Sequence, residues 1–208
     1  MADTETITKP VIKTIGIAGC GGIGAFLIRN LFDYGAKRDQ YPFTSMTVDA
    51  YDSDLVDASN LLHQDFTDED IGKYKADIVA EKCLGLINAH KRFMTEKDFP
   101  NYDIIFSAVD SMSFRKSLYK YGFAHPELYW IDGRCSSRTI ALYHSKLPQK
   151  QLEATLTDST ERTGCLRAID KKNLTSHVTP QIIAGMMLQT FLNLLRGELQ
   201  TSPTVVMI

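Results

Sequence analysis

A β-branched run that empties into four glycines and then into a helix leaves a chain few folds to choose from. Val11 to Ala18 is apolar enough for a buried strand, and Gly19-Cys20-Gly21-Gly22-Ile23-Gly24 follows without a break. Ala25 to Phe32 then repeats its apolar residues at helical spacing, with Gly35 as the stop. Glycines at such a junction permit a tight turn and a close backbone approach. The first N–H groups of the helix are left to face a phosphate. The junction predicts a nucleotide at the carboxyl end of a parallel sheet. Asp52, just after a second strand over Met46 to Tyr51, is placed to accept hydrogen bonds from ribose hydroxyls.

Further along, strands and helices alternate. Leu55 to Phe66 reads as a short helix or turns, and Lys75 to Ala89 as a helix carrying Ile78, Val79, Leu84 and Ile87 on one face. Tyr102 to Val109 is a strand, Ser113 to Phe123 a helix, and Leu128 to Asp132 and Arg138 to Tyr143 are strands with Gly133 as the turn between them. Thr179 caps a final apolar helix with Pro180 in its first turn, running to Arg196, and Thr204 to Ile208 adds a strand. The alternation predicts a Rossmann-like α/β fold: one domain, doubly wound, a mainly parallel sheet with helices on both faces. Residues 1–11 read as a flexible lead-in and 12–208 as the nucleotide-binding domain. The polar stretch 146–176, which lacks any period, reads as a mobile crossover loop. With 25 acidic and 23 basic side chains, the chain has no positive excess for nucleic acid. No apolar run is long enough to cross a bilayer, and MADTETITKP is no signal peptide, so a cytoplasmic place is expected.

The segments after Asp52 ask for more than a nicotinamide site. Asp52-Ser-Asp54-Leu-Val56-Asp-Ala-Ser59-Asn60-Leu-Leu-His63-Gln64 is followed by Gly72-Lys73-Tyr74-Lys75, and later by Asp110-Ser-Met-Ser-Phe-Arg115. This ordered set resembles the ThiF/MoeB/HesA family, the adenylating domain shared with ubiquitin-activating enzymes. The pattern there is D-x-D-x-V-x-x-S-N-x-x-R-Q, then G-x-x-K, then an Asp ending a strand with an Arg five residues on. The resemblance runs from Ile12 to Arg115 and returns over Thr179 to Gly197. It implies ATP and Mg2+ as cofactors. Gly19, Gly21, Gly22 and Gly24 would lie against the phosphates and Asp52 against the ribose, with Asp54 beside it. Asn60, His63 and Gln64 would flank the phosphates and the incoming carboxylate. Lys75 would neutralise charge gathering on the phosphates, and Asp110 would hold magnesium. The implied partner is a small ubiquitin-like or sulfur-carrier protein whose terminal carboxylate is adenylated, and the implied assembly is a homodimer. From residue type alone, Lys75 also reads as a solvated lysine, Asp110 as a helix cap, Asp54 and Asn60 as turn formers, and Arg115 as an ion-pair partner.

Three departures from the family pattern bear on activity. The arginine before Gln is His63, a weaker phosphate partner. Residues 1–11 contain no arginine to send into a neighbouring site. Cys20, Cys83, Cys135 and Cys165 form no C-x-x-C pair, so no zinc is expected. Cys165, between Arg162 and Arg167, is the candidate nucleophile for a thioester. Two other readings stay open. One is a non-catalytic nucleotide-binding scaffold that recognises a partner, the other an NAD-dependent oxidoreductase.

Overall fold

The opening β-branched run forms a strand buried on both sides. The computed structural model describes residues 4–6, 10–37, 45–136, 138–156, 172–173, 177–200 and 202–207. In chain order the strands and helices are β1 (Thr4–Thr6), β2 (Thr14–Ala18), α1 (Gly22–Lys37), β3 (Thr47–Tyr51), α2 (Lys75–Lys82), β4 (Asn88–His90) and β5 (Ile104–Ser107). They continue with α3 (Met112–Ala124), β6 (Tyr129–Cys135), β7 (Thr139–His144), α4 (Gln149–Glu153), α5 (Thr179–Arg196), β8 (Glu198–Gln200) and β9 (Thr204–Met207). Short 3-10 turns over Ala58–Leu62, Asp68–Asp70 and Glu96–Asn101 join them.

Seven strands make one sheet in the order β4-β3-β2-β5-β6-β7-β9. The first five are mutually parallel, β7 pairs antiparallel to β6, and β9 pairs antiparallel to β7, returning to the direction of the first five. This is the Rossmann-like α/β architecture expected from the alternation. Ile15 and Ile17 of β2 face Leu27, Ile28 and Leu31 of α1, and Phe191 and Leu194 of α5 join the same layer. Gly16 faces the other way, where Met94 and Tyr102 lie so close that a Cβ would stand 2.8 Å from each. On that side Ile105 and Trp130 pack with Phe99 and with Leu118 and Tyr119 of α3. Each fully buried large apolar side chain contributes about 1.5–3 kcal/mol, so the two layers together hold the sheet between helices. Thr4–Thr6, inside the stretch read as a lead-in, pairs with Glu198–Gln200 as a separate ribbon. Gln149–Glu153, inside the stretch read as a loop, is helical and buries Leu152. Among the described residues no helix is long and apolar enough to cross a membrane.

Several local expectations need correction. The helix from Lys75 ends at Lys82 rather than Ala89. Leu84 and Gly85 adopt left-handed φ values of 55° and 73°, and the Gly85 N–H bonds the Ala80 carbonyl at 3.0 Å, closing the helix. Asn88–His90 then forms the edge strand β4, which the apolar spacing had merged into the helix. Gly133 is no turn but lies within β6 opposite Leu142, because α5 presses there: a Cβ would stand 2.2 Å from Met187 Sδ. Gly35 does not stop α1, which runs on to Lys37. The cap of α5 is Val178, one residue before Thr179.

Candidate functional site

The glycine turn is built by close contact. Gly19 has φ +91°, and a Cβ there would meet the Ala108 carbonyl oxygen at 2.8 Å. Only glycine adopts that backbone without strain. At Gly24 a Cβ would fall 1.8 Å from the Gly19 carbonyl oxygen, so the first turn of α1 folds back against the end of β2. Gly22 is the first residue of α1. Gly21 faces Gln64, whose Oε1 would lie in ordinary van der Waals contact at 3.7 Å from a built Cβ.

Asp52 is tied into this turn. One oxygen accepts from the Cys20 N–H at 2.8 Å and the other from the Asp54 N–H at 2.9 Å. Burial pushes its carboxyl up from the ordinary range, against the pull of those two amides and Lys75. The same burial, together with the Asp52 charge, pushes the Cys20 thiol well up and leaves it inert.

Lys75 is no solvated lysine. It is 6% exposed, and its Nζ lies 3.3 Å from Asp54 Oδ2, a carboxylate that is itself mostly in solvent. The local sequence explains the placement. Gly72 turns in the left-handed region at φ +84° and donates to the Val56 carbonyl at 2.9 Å, and Val56 donates back to Lys73 at 2.9 Å. Leu55 and Tyr74 bridge antiparallel, and the Lys75 N–H reaches the Asp54 carbonyl at 3.0 Å. The glycine three residues ahead therefore lays the lysine back along the acidic segment.

Asn60 is buried inside a capping box. Its Oδ1 accepts from the Asp57 N–H at 3.0 Å, while the Asp57 carboxylate caps Ser59. His63 and Gln64 follow it, with Gln64 Nε2 3.3 Å from His63 Nε2. Gln64 Oε1 is buried and accepts no hydrogen bond among the described residues. Asp110 is exposed in the loop after β5, two residues beyond the Ala108 carbonyl that abuts Gly19. It does not cap α3: Ser111 does, accepting from the Phe114 N–H at 3.2 Å. The structure thus gathers Gly19, Gly21, Gly22, Gly24, Asp52, Asp54, Gln64, Lys75 and Asp110 at the carboxyl ends of β2, β3 and β5. His63 lies beside Gln64, and Asn60 sits in the 3-10 turn that precedes them.

A family model described as the ThiF family matches residues 11–207. The chain belongs to the ThiF family. No curated protein matches it. Among solved structures, PaaA superposes with a TM-score of 0.67 at 14% identity, covering 94% of this chain and 61% of that one. E. coli MccB with ATP gives 0.65 at 14% identity, covering 94% and 60%. E. coli MccB with AMPCPP and MccA gives 0.64 at 12% identity, covering 94% and 63%. At such identities the likeness is one of fold. This chain spans about three-fifths of the length of those chains.

In this ThiF member, Arg115 is the ion-pair partner that its sequence position suggested, and its counter-ion is a residue that the motifs do not contain. Asp132, fully buried in β6, takes Arg115 Nε at 3.1 Å and Arg134 Nε at 2.8 Å. Burial alone would push the Asp132 carboxyl up; the two guanidiniums and the Ser107 hydroxyl outweigh it and hold it below the ordinary range. Sequence reasoning passed over Asp132, Arg134 and Tyr119. The signal was there as two spacings: Asp132 and Arg134 two apart in a strand, Arg115 and Tyr119 four apart in a helix, each pair on one face. Cys83 is buried with its thiol pushed up to about 11 by burial, and Cys135 is half-buried in β6. Cys165 lies outside the described residues.

Proposed function

We propose that this ThiF-family chain adenylates the terminal carboxylate of a small ubiquitin-like or sulfur-carrier protein. The observation that carries the reading is the buried Lys75, held by the Gly72 turn on the sheet edge that presents the glycine turn. A buried ammonium with one partly solvated counter-ion suits a ligand whose negative charge grows during reaction. The orphaned acceptor of Gln64, which lies against Gly21, suits a hydroxyl or N–H donor brought by the ligand. Among the described residues no group of three His, Cys, Asp or Glu converges as a metal cage. Asp110, exposed in the loop after β5, would be the residue to hold magnesium, whose chemistry calls for carboxylate and phosphate oxygens. Magnesium supplies charge neutralisation on the phosphates when bound.

The chemistry is one displacement. An oxygen of the partner's carboxylate forms a bond to the α-phosphorus of ATP, the bond to the β-phosphate oxygen breaks, and pyrophosphate leaves with that electron pair. The acyl-adenylate remains. No proton need move, since the nucleophile is already a carboxylate, so the site needs placed positive charge more than a base. That need matches a lysine and a helix amino terminus. MccB has been solved with ATP and with MccA, which supports a nucleotide and a partner chain for this fold.

Two measurements test the reading. ATP with magnesium should raise the melting temperature more than NAD at equal concentration, because a ligand that binds only the native state stabilises it, by about 2.7 kcal/mol at a hundred times its Kd. With the partner present, magnesium-dependent ATP–pyrophosphate exchange should fall about 10²–10³-fold in Lys75→Met, the loss typical of removing one preorganised charge-stabilising group. Stabilisation by NAD alone would sink adenylation. Nucleotide stabilisation with no exchange would favour the non-catalytic scaffold, which the histidine at position 63 makes the natural second reading.

A further inference from the structure

One carboxylate in the molecule serves two arms. Asp132 Oδ1 accepts from the Ser107 hydroxyl at 2.8 Å and from Arg115 Nε at 3.1 Å. Its Oδ2 accepts from the Tyr119 hydroxyl at 2.9 Å and from Arg134 Nε at 2.8 Å. Each arginine then reaches outward with its remaining donors. Arg115 Nη2 donates to the carbonyl of Val109, the residue before Asp110. Arg134 Nη1 donates to the Thr155 carbonyl at 2.9 Å, and its Nη2 reaches Thr155 Oγ1 at 3.2 Å and the Tyr119 hydroxyl at 3.0 Å. The Arg134 guanidinium also lies 4.6 Å from the centre of the Tyr143 ring.

We propose that Asp132, Arg115 and Arg134 form a coupled positioning device that locks the Asp110 loop and the exit of α4 to each other. This rests on the reading of Asp110 as the magnesium carboxylate only for its catalytic consequence. The mechanical part stands on the contacts themselves.

Stability alone is a poor account of this cluster. Two guanidiniums around one buried carboxylate carry a desolvation cost that an apolar trio of similar volume would avoid. What the ions provide is direction. Among the described residues Val109 O and Thr155 O belong to no strand or helix ladder, and a planar guanidinium fixes the angle as well as the distance of a carbonyl that it holds. The arms are also linked. With Arg134 gone, Oδ2 loses its charged donor, the full charge of Asp132 falls on Arg115, and the grip on Val109 changes. Hydrogen-bonded ionic networks respond as units in this way. Arg115 and Arg134 are thus positioning residues, acting on Asp110 and on the departing chain through Asp132.

Hydrogen–deuterium exchange on Arg134→Gln, Arg134→Lys and Thr155→Ala tests the coupling without reference to activity. Thr155→Ala removes the Oγ1 contacts to Arg134 and to the Leu152 carbonyl but leaves the Thr155 carbonyl and every core residue in place, so it serves if Arg134→Gln fails to fold. Amides of residues 109–111 should exchange at least about fivefold faster in Arg134→Gln, with β2 and α1 unchanged, as expected for sub-global opening. Arg134→Lys, which keeps the charge beside Asp132, should restore part of the protection. In pyrophosphate exchange, the half-saturating magnesium concentration should rise about threefold or more, an effect that mere loss of folded protein would not give. Faster exchange confined to residues 155–156, with 109–111 untouched in every variant, would overturn the proposal. Coupled exchange in a chain that shows no pyrophosphate exchange supports the device and sinks the adenylation reading instead.

Discussion

Gly24 shows how little freedom a single position can have. A methyl group there would stand 1.8 Å from the Gly19 carbonyl oxygen, a contact no rotation can relieve because both atoms belong to backbone. Gly24→Ala should therefore destabilise the fold by about 1–3 kcal/mol or more, the cost of overpacking, and weaken nucleotide binding beyond that. Thermal melts with and without ATP separate the two effects; a variant that melts with wild type would refute the close helix–strand contact. His63 raises a different question, since it stands where the family pattern has an arginine. Arginine at that position would add a permanent charge and a fork of donors beside Gln64. His63→Arg should raise pyrophosphate exchange about tenfold near pH 8, the scale of one charged hydrogen bond. His63→Ala should lower it, and an unchanged rate there would remove the position from the site.

At the scale of elements, the turn after α2 decides where the sheet ends. Leu84 holds φ 55° while 80% exposed, so it bears backbone strain without burying its side chain. A left-handed residue with a Cβ costs about 1–2 kcal/mol. Leu84→Gly should accordingly raise stability by about 1 kcal/mol, read as a higher midpoint in urea with unchanged slope. Loss of stability would refute the strain assigned to Leu84. The turn matters because β4 follows it, and the Asp52 N–H bonds the His90 carbonyl at 3.1 Å. A closed α2 thus sets an edge strand beside the residue that holds the glycine turn. Gly72 does similar work on the other side of α2, setting Lys75 against Asp54.

For the molecule as a whole, the sheet is asymmetric in function. Its parallel half carries every residue assigned to the nucleotide, while β7 and α5 complete the core behind Asp132 and β9 lies exposed at the sheet's edge. The segment between α4 and α5 contains Cys165, and that cysteine is separable from adenylation in the chemistry proposed. Cys165→Ala should keep pyrophosphate exchange within about twofold yet abolish any partner adduct that thiols cleave, because a thioester needs the sulfur and an adenylate does not. A persistent adduct in Cys165→Ala removes the thioester role.

Local rules were enough for much of this. The glycine turn needs residues without a Cβ and Asp52 follows a strand beside it, so the strand–turn–helix start could be read along the chain, whereas residue type alone left Lys75 as a solvated lysine until the Gly72 turn was seen to bury it. The alternation of apolar runs was likewise enough for an α/β sheet covered on both faces. Other features depend on partners distant in sequence. Gly133 reads as a turn until α5 packs on it, and Leu84 reads as core until the chain is seen to turn outward. Asp132 stands in an apolar run as an unexplained charge until α3 and β6 bring Arg115 and Arg134 to its two oxygens. Periodicity reports which face a residue shares with its neighbours in the chain. What presses on that face is decided only when the sheet closes, because the contacts that settle it join residues tens of positions apart.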